Sequence, residues 1–299
     1  MSTAPTSSHQ PSPRSARQKA LEAVTSRDVV DWWATGVSDI EPGVIRLRGY
    51  PIQELIEGAT FTQTIWLMVR GALPTPGEAA LLDKALVAAV DHGPQAPSIA
   101  AARMASTCGV GLNGAIATGV GLLGDVHGGA GQQCTELLVR IADQSRQSSD
   151  AGALERLVAA ELADHRSRRA YVPGFGHRFH PRDPRRDPLL AAVRDAVDAG
   201  TVTGAHLVVA EEIERQLSRS GRKPIPMNID GATAVIYAEL GFPPALARGL
   251  FILSRSVGIL AHSWEEANSG QRIKGPIPPP LLPSYIGAGS RTFDAGAAQ

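Results

Sequence analysis

Along most of this chain the apolar positions recur at the spacing of a helix, and only one short stretch alternates as a strand does. Gly43–Tyr50 (GVIRLRGY) sets Val44, Arg46 and Arg48 against Ile45 and Leu47, a period of two that predicts a short strand. Helical signals follow. Thr60 and Gln63, around the start of FTQTIWLMVRG, have the spacing of a capping box, in which side chains satisfy backbone N–H groups at a helix start. Thr75-Pro76-x-Glu78 repeats the pattern with a proline in the first turn. Cys134, Leu137, Leu138 and Ile141 fall at i, i+3, i+4 and i+7, which predicts a buried stripe on a helix that starts after Gly129. Composition predicts further helices over roughly 151–164, 189–198, 203–218, 231–240 and 244–262. The expected fold class is mainly α, with a short N-terminal β element and no repeat at a solenoid period.

Composition narrows the setting. Residues 1–18 are rich in Ser and Pro and almost free of large apolar side chains, so they read as a disordered tail. Pro276–Pro283 carries five prolines and cannot be regular helix. At 299 residues, 43% hydrophobic and 19% charged, the chain can bury a real core and has the make-up of a globular enzyme of one large domain or two. A net charge of +0 gives no electrostatic footprint for nucleic acid. Cys108 and Cys134 both lie in helix-like segments, which fits a reducing compartment better than a disulfide framework. No apolar run follows a basic start, and the longest apolar stretch, Ala245–Ala261, is broken by Arg248 and Arg255. A cytoplasmic protein with no membrane and no nucleic-acid partner is expected.

The positive charge is concentrated in one place. Arg168–Pro188 reads RRAYVPGFGHRFHPRDPRRDP, with arginines at 168, 169, 178, 182, 185 and 186 around the turn Gly174-Phe175-Gly176-His177. Glycines beside a histidine let backbone approach something large and flat, and Pro173 stiffens the approach. The stretch reads either as an anion site or as a solvated basic loop. Four ionisable residues stand beside small or helix-breaking ones: His92 in VDHGP, His127 in GDVHGGAG, His177 in GFGHR and Asp230 in MNIDGAT. His127 precedes a helix start, where a neutral imidazole is favoured that can donate a hydrogen bond to a developing oxyanion. Asp230 opens an apolar helix, so it reads as an N-cap as well as a catalytic carboxylate. A metal hydrolase built on His127, His177, His180 and Asp230 is a rival without a tight ligand pair to support it, and a non-catalytic helical binding protein is another.

Taken in order, these segments resemble citrate synthases. IRLRGYPIQELIEGATFTQTIWLMVRGALPTPGE is similar to that family's N-terminal segment, and DHGPQAPSIAAAR, GDVHGGA and VPGFGHRFHPRDPR to its three histidine motifs. MNIDG and RSVGILAHSWEE resemble its aspartate motif and the arginine helix that follows, so the likeness runs from about residue 40 to 287. The resemblance implies a citrate synthase-like helical fold. Its large domain would comprise 19–127 and 236–299, and its smaller, CoA-binding domain 128–235. It implies a homodimer acting on a small acyl-CoA and a 2-oxo dicarboxylate, with a coenzyme A thioester as substrate, no permanently bound cofactor and no metal.

An acyl-CoA methyl is a very weak acid, so its proton leaves only with a base on one side and hydrogen-bond donation to the thioester oxygen on the other. The resemblance gives Asp230 as that base, His127 as the donor, His177 at the oxo-acid carbonyl and His92 as a holder of the oxo acid. It gives Arg185 and Arg255 as carboxylate clamps, a task suited to the planar guanidinium. It also lays the backbone of Gly174, Phe175 and Gly176 against the CoA adenine. Arg168, Arg169 and Arg178 are candidates for the CoA phosphates, with surface solvation the alternative for the first two. Two departures count. The chain is shorter than ordinary citrate synthases, the deficit falling between RGYPI and DHGP. No arginine lies between Ile273 and Ser290, where the family supplies one across the dimer interface, so Lys274 or Arg272 is left as a substitute. Both point toward citryl-CoA lyase-like chemistry, with citrate or 2-methylcitrate synthase as the alternative.

Overall fold

The computed structural model describes residues 29, 31–177, 180–220 and 224–293, so the expectation for residues 1–18 lies outside them. The chain divides into two compact units, Met1–Pro74 and Thr75–Gln299.

In the first unit the alternating stretch becomes the centre of a small antiparallel meander: β1 (Ser38–Glu41), β2 (Val44–Leu47) and β3 (Tyr50–Pro51). The turn between β2 and β3 places Arg48 and Gly49 at positive φ, 50° and 89°. Arg48 is tied down there by two hydrogen bonds from its guanidinium to the Met68 carbonyl, at 3.1 and 2.8 Å. Helices α1 (Ile52–Gly58) and α2 (Phe61–Arg70) follow. The expected capping box opens α2: Gln63 N–H donates to Thr60 Oγ1 at 3.2 Å, and Thr60 N–H to Gln63 Oε1 at 2.8 Å.

The regular elements described in the second unit are all helices: α3 (Pro76–Ala89), α4 (Pro97–Thr107), α5 (Leu112–Gly121), α6 (Ala130–Gln147), α7 (Ala153–Ser167), α8 (Arg186–Asp198), α9 (Ala205–Ser220), α10 (Ile229–Glu239) and α11 (Pro244–Ala267). The molecule is mainly α. The second box, Thr75 with Glu78, caps α3 as its spacing predicts. Cys134, Leu137, Leu138 and Ile141 are buried on α6. Helix α10 is sequestered along nearly its whole length by α3, α6, α8 and α9. Helix α11 is by length and composition apolar enough to cross a membrane. It runs beyond the predicted end at 262 and packs on α3, α4, α5 and α6, burying Arg255, Ser263 and Glu266 as the central helix of a bundle does.

Helices α4 and α5 have weak sequence signals, and α5 contains three glycines. They form because α4, α5 and α11 approach closely. A Cβ on Gly119 would come within 2.8 Å of Ile259 and 2.9 Å of the Ser98 carbonyl. Ile99, Ala102, Leu123 and Ile259 fill the space between them. Glycine costs helix stability locally, and here tight packing offsets it.

Candidate active site

Helix α11 positions two of the histidine-bearing loops. Gly258 N–H donates to the Val90 carbonyl at 3.1 Å, an approach possible only without a side chain, since a Cβ would stand 2.3 Å from that oxygen. Asp91 holds the same loop by accepting from Gly93 N–H at 3.0 Å, and its other oxygen lies 3.3 Å from His262 Nε2. His92 is thereby fixed above the end of α3. The His127 loop is pinned by Arg248 of α11, which donates to Asp125 Oδ1 at 2.6 Å, and by Gln133 of α6, which donates to the Asp125 carbonyl at 3.1 Å.

His127 meets a helix N-terminus, but not the one that follows it in sequence. Its Nε2 accepts from the backbone N–H of Ser98, in the first turn of α4, at 3.2 Å, and lies 3.0 Å from Ser98 Oγ. A ring nitrogen that accepts from a backbone amide is unprotonated, so the ring's proton sits on Nδ1. Burial, with Arg255 beside it, pushes the His127 pKa down and keeps the ring neutral. The product is a neutral imidazole with an Nδ1–H to donate.

The turn before His177 is locked to the segment before Asp230. Gly174, at φ 84°, packs so closely that a Cβ would lie 2.6 Å from Cys134 Sγ and 2.8 Å from Gly231 Cα. Phe175 is buried and bridges to Met227 in antiparallel register. Gly174, expected to face a ligand, thus has an internal demand of its own. His180 N–H donates to His177 Nδ1 at 3.0 Å, which leaves Nε2 carrying the proton. The His92 and His177 rings are 6.0 Å apart, and those of His177 and His180 4.7 Å. Burial lowers the pKa of His177; Asp183 opposes that shift, while His180 and Arg185 add to it. Burial likewise lowers the pKa of His92, with Arg255, Arg185 and His177 adding to it and Asp183 opposing.

Asp230 is not the cap of α10. Asn228 is: its Oδ1 accepts from Asp230 N–H at 2.9 Å and from Gly231 N–H at 3.2 Å, and its amide donates to the Gly176 carbonyl at 2.6 Å. That leaves the Asp230 carboxyl free of the capping task. Burial pushes its pKa up, against the pull of Arg255 and Arg185. Arg255 is 5% exposed; its Nε donates to the Ala89 carbonyl at 3.0 Å and its guanidinium stands 5.0 Å over the Phe251 ring. Burial, and repulsion from Arg185, lower its pKa, which Asp230 and Asp91 oppose. Two cations, three neutral imidazoles and one raised carboxyl therefore influence one another in a single cluster. Such groupings of perturbed groups mark sites of chemistry.

The remaining expected residues are placed as follows. Arg185 forks onto Asp183, Nε to Oδ1 and Nη2 to Oδ2, both at 2.9 Å. Lys274 donates to Glu266 Oε1 at 2.9 Å, a buried carboxylate that Arg103 also holds, so it is not gathered with the histidines. Arg168 is exposed and paired with Asp164, at 2.9 Å from Nε. Arg169 is exposed at φ 53°, and Arg178 lies outside the described residues. Among the described residues, the side chains with metal-ligand spacing are Glu161, Asp164 and His165, whose carboxylates already pair with Arg140 and Arg168.

Sequence reasoning missed Asp183, Asn228, Ser98 and Asp91. Asp183 was findable, standing two residues before Arg185 in D-P-R. It is 1% exposed, lies 4.0 Å from His177 Nε2 and accepts from Ile229 N–H at 3.1 Å. Burial opposes its ionisation, but the Arg185 fork and the Arg185 and Ile229 N–H groups outweigh that and hold its pKa at about 2, from an ordinary 3.8. A depressed carboxylate stabilises the fold fully above its unfolded value and loses that contribution as pH falls through its folded one. About 2 kcal/mol should therefore disappear between pH about 4 and about 2. Urea titrations across that window should show a shallower acid limb for Asp183→Asn than for the wild type.

Known proteins resemble the chain that carries this site. The family profile for the citrate synthase C-terminal domain matches residues 74–276. The chain belongs to the citrate synthase family. It is 32% identical over 215 residues to a citrate synthase of Acidithiobacillus ferridurans, covering 70% of this chain and 52% of that one. It is 28% identical to a 2-methylcitrate synthase of Mycobacterium tuberculosis, covering 77% and 55%. The chain thus spans about half the length of the curated relatives it matches. Among solved structures, a citryl-CoA lyase of Hydrogenobacter thermophilus superposes with a TM-score of 0.75 at 29% identity, covering 88% of this chain and 98% of that one.

Proposed function

We propose that this chain makes or breaks the bond between an acyl-CoA α-carbon and a 2-oxo dicarboxylic acid, and that its principal reaction is cleavage of citryl-CoA to acetyl-CoA and oxaloacetate. The observation that carries this reading is the release of Asp230 from capping into a cluster with neutral imidazoles and two arginines. In the condensing direction the Asp230 carboxylate takes a proton from the acyl-CoA methyl while Nδ1–H of His127 holds the thioester oxygen. The enolate carbon then attacks the keto carbon. The keto oxygen takes the Nε2 proton of His177 as the carbon–carbon bond completes, and His177 recovers a proton from solvent; in cleavage the same nitrogen takes the hydroxyl proton after returning its own to solvent. Cleavage reverses these steps, with protonated Asp230 delivering the proton to carbon. A carboxyl with a raised pKa suits that delivery. Arg185, Arg255 and His92 hold the carboxylates of the acid. The turn Gly174–Gly176, with Arg168, Arg169 and Arg178, is assigned to the CoA moiety, and residues 128–235 to a CoA-binding domain.

Two observations favour cleavage. The citryl-CoA lyase of Hydrogenobacter thermophilus superposes on this chain with a TM-score of 0.75 at 29% identity. Lys274, one of the two candidates to replace the arginine that the family supplies across the dimer interface, is engaged by Glu266. Synthesis of citrate or 2-methylcitrate is the second reading, favoured by the likeness in sequence to synthases of both kinds. A homodimer is the proposed form, supported by exposed Leu253, Val257, Leu260 and Trp264 at helical spacing along α11, and a cytoplasmic location is proposed with it. The test is incubation with citryl-CoA, with acetyl-CoA plus oxaloacetate, and with propionyl-CoA plus oxaloacetate, following free CoA and acetyl-CoA separately. Citryl-CoA should give mostly acetyl-CoA; chiefly free CoA and citrate would make the chain a short synthase. Turnover should also survive exhaustive chelation, and loss with EDTA and recovery with zinc would replace the acid–base reading by a metal hydrolase.

A further inference from the structure

The segment that leads into Asp230 forms a minimal antiparallel ladder, a single bridge, with the turn before His177. Around the Phe175–Met227 bridge, Gly176 N–H donates to the Pro226 carbonyl at 2.7 Å and Asn228 N–H to the Gly174 carbonyl at 3.0 Å. Alternation along an extended chain turns the N–H groups of Met227 and Ile229 to the opposite edge. No third strand meets them among the described residues; two carboxylates do. Glu214 Oε1, from α9, accepts from Met227 N–H at 2.8 Å, and Asp183 Oδ2 accepts from Ile229 N–H at 3.1 Å.

Each carboxylate is in turn held by one of two consecutive arginines. Arg185 forks onto Asp183, and Arg186 forks onto Glu214 through Nε at 3.0 Å and through Nη2. Arg186 and Asp183 are buried, so these are well-ordered, charge-assisted pairs rather than solvated surface ones. His177 directly follows Gly176, and Asp230 directly follows Ile229. The register of this ladder therefore sets the separation between the two residues that act on opposite ends of the reacting system. Asp183 also lies against His177 and belongs to the site itself. Glu214 reaches the site through backbone alone, its carboxylate being taken up by Met227 N–H and Arg186.

We propose that Glu214 is a positioning residue for catalysis: through Met227 N–H and Arg186 it fixes the strand that carries Asp230 into place. The proposal rests on the reading of Asp230 as the group that moves a proton at the acyl-CoA carbon. The test compares Glu214→Ala, Glu214→Gln and Glu214→Asp in the full chain, by citryl-CoA kinetics and by amide hydrogen exchange of the peptide spanning 224–231.

Misplacing a catalytic group by a fraction of an ångström to an ångström costs up to about 100-fold in rate, so Glu214→Ala should lower kcat about 10- to 100-fold. KM should stay within about threefold, because the Glu214–Met227 bond serves the placement of the base and not substrate binding. Exchange in 224–231 should accelerate while α4 and α11 keep wild-type protection. Gln retains an oxygen for Met227 N–H and should recover most of kcat. If Ala does not fold, Asp, which withdraws the carboxylate by one methylene, should show the same selective loss. A Glu214→Ala enzyme with wild-type kcat, or with activity lost only in proportion to unfolded protein, would overturn the proposal, as would unchanged exchange in 224–231. A wild type that turns over none of the CoA substrates would sink the proposed function instead, and the exchange data would still decide whether Glu214 holds the segment.

Discussion

Asp230→Asn is expected to bind CoA thioesters as the wild type does and to lose carbon–carbon chemistry by about three orders of magnitude. The amide is nearly isosteric with the carboxyl but can neither take a proton from carbon nor return one. Its fold should be unharmed, because Asn228 and not Asp230 caps α10. That separates the catalytic reading from a structural one. A cap lost to alanine costs about 1 kcal/mol, so Asn228→Ala should lower Tm where Asp230→Asn does not. Glu at 230 should retain more activity than Asn, since it keeps a proton carrier at a displaced position. Turnover, thioester affinity and Tm measured on the same preparations check all of this. Wild-type turnover in Asp230→Asn would leave Asp230 without a part in the chemistry.

His127→Ala carries the second large effect, a loss of about 10²- to 10³-fold in kcat. The donor it removes faces negative charge that exists only while the thioester is an enolate, so substrate affinity should change far less than rate. His127→Asn places an amide N–H near the position of Nδ1 and should recover part of the loss. The proton's location is set by Ser98, whose backbone N–H occupies Nε2. Because burial and Arg255 keep the ring neutral, the donor should stay competent across the neutral range instead of titrating within it. Single-turnover rates for the wild type and the two variants against pH measure both points.

The helical stripe of α6 and the capping boxes at Thr60 and Thr75 were legible because each is a local pattern with a local cause. Helices α4 and α5 were not. The three glycines of α5 disfavour a helix locally, and only the three-dimensional packing shows that Gly119 is needed against Ile259 and the Ser98 carbonyl. His92, His127, His177, Arg185, Arg255 and Asp230 were nameable from their motifs, and the structure groups them around Arg255 and Asp183. What the sequence could not display was who satisfies whom. The helix end that meets His127 is 29 positions earlier in the chain, and the capping oxygen beside Asp230 belongs to a residue two positions before it. Asp183 sat in view in D-P-R but looked like one charge among many in a basic stretch.

Cleaving citryl-CoA with the purified protein in D2O and weighing the products tests the proposed chemistry most directly. If the carbon–carbon bond breaks and Asp230 returns a solvent-derived proton to the enolate, the products are oxaloacetate and acetyl-CoA with one deuterium in its methyl group. Free CoA and citrate, with no labelled acetyl-CoA, would contradict it.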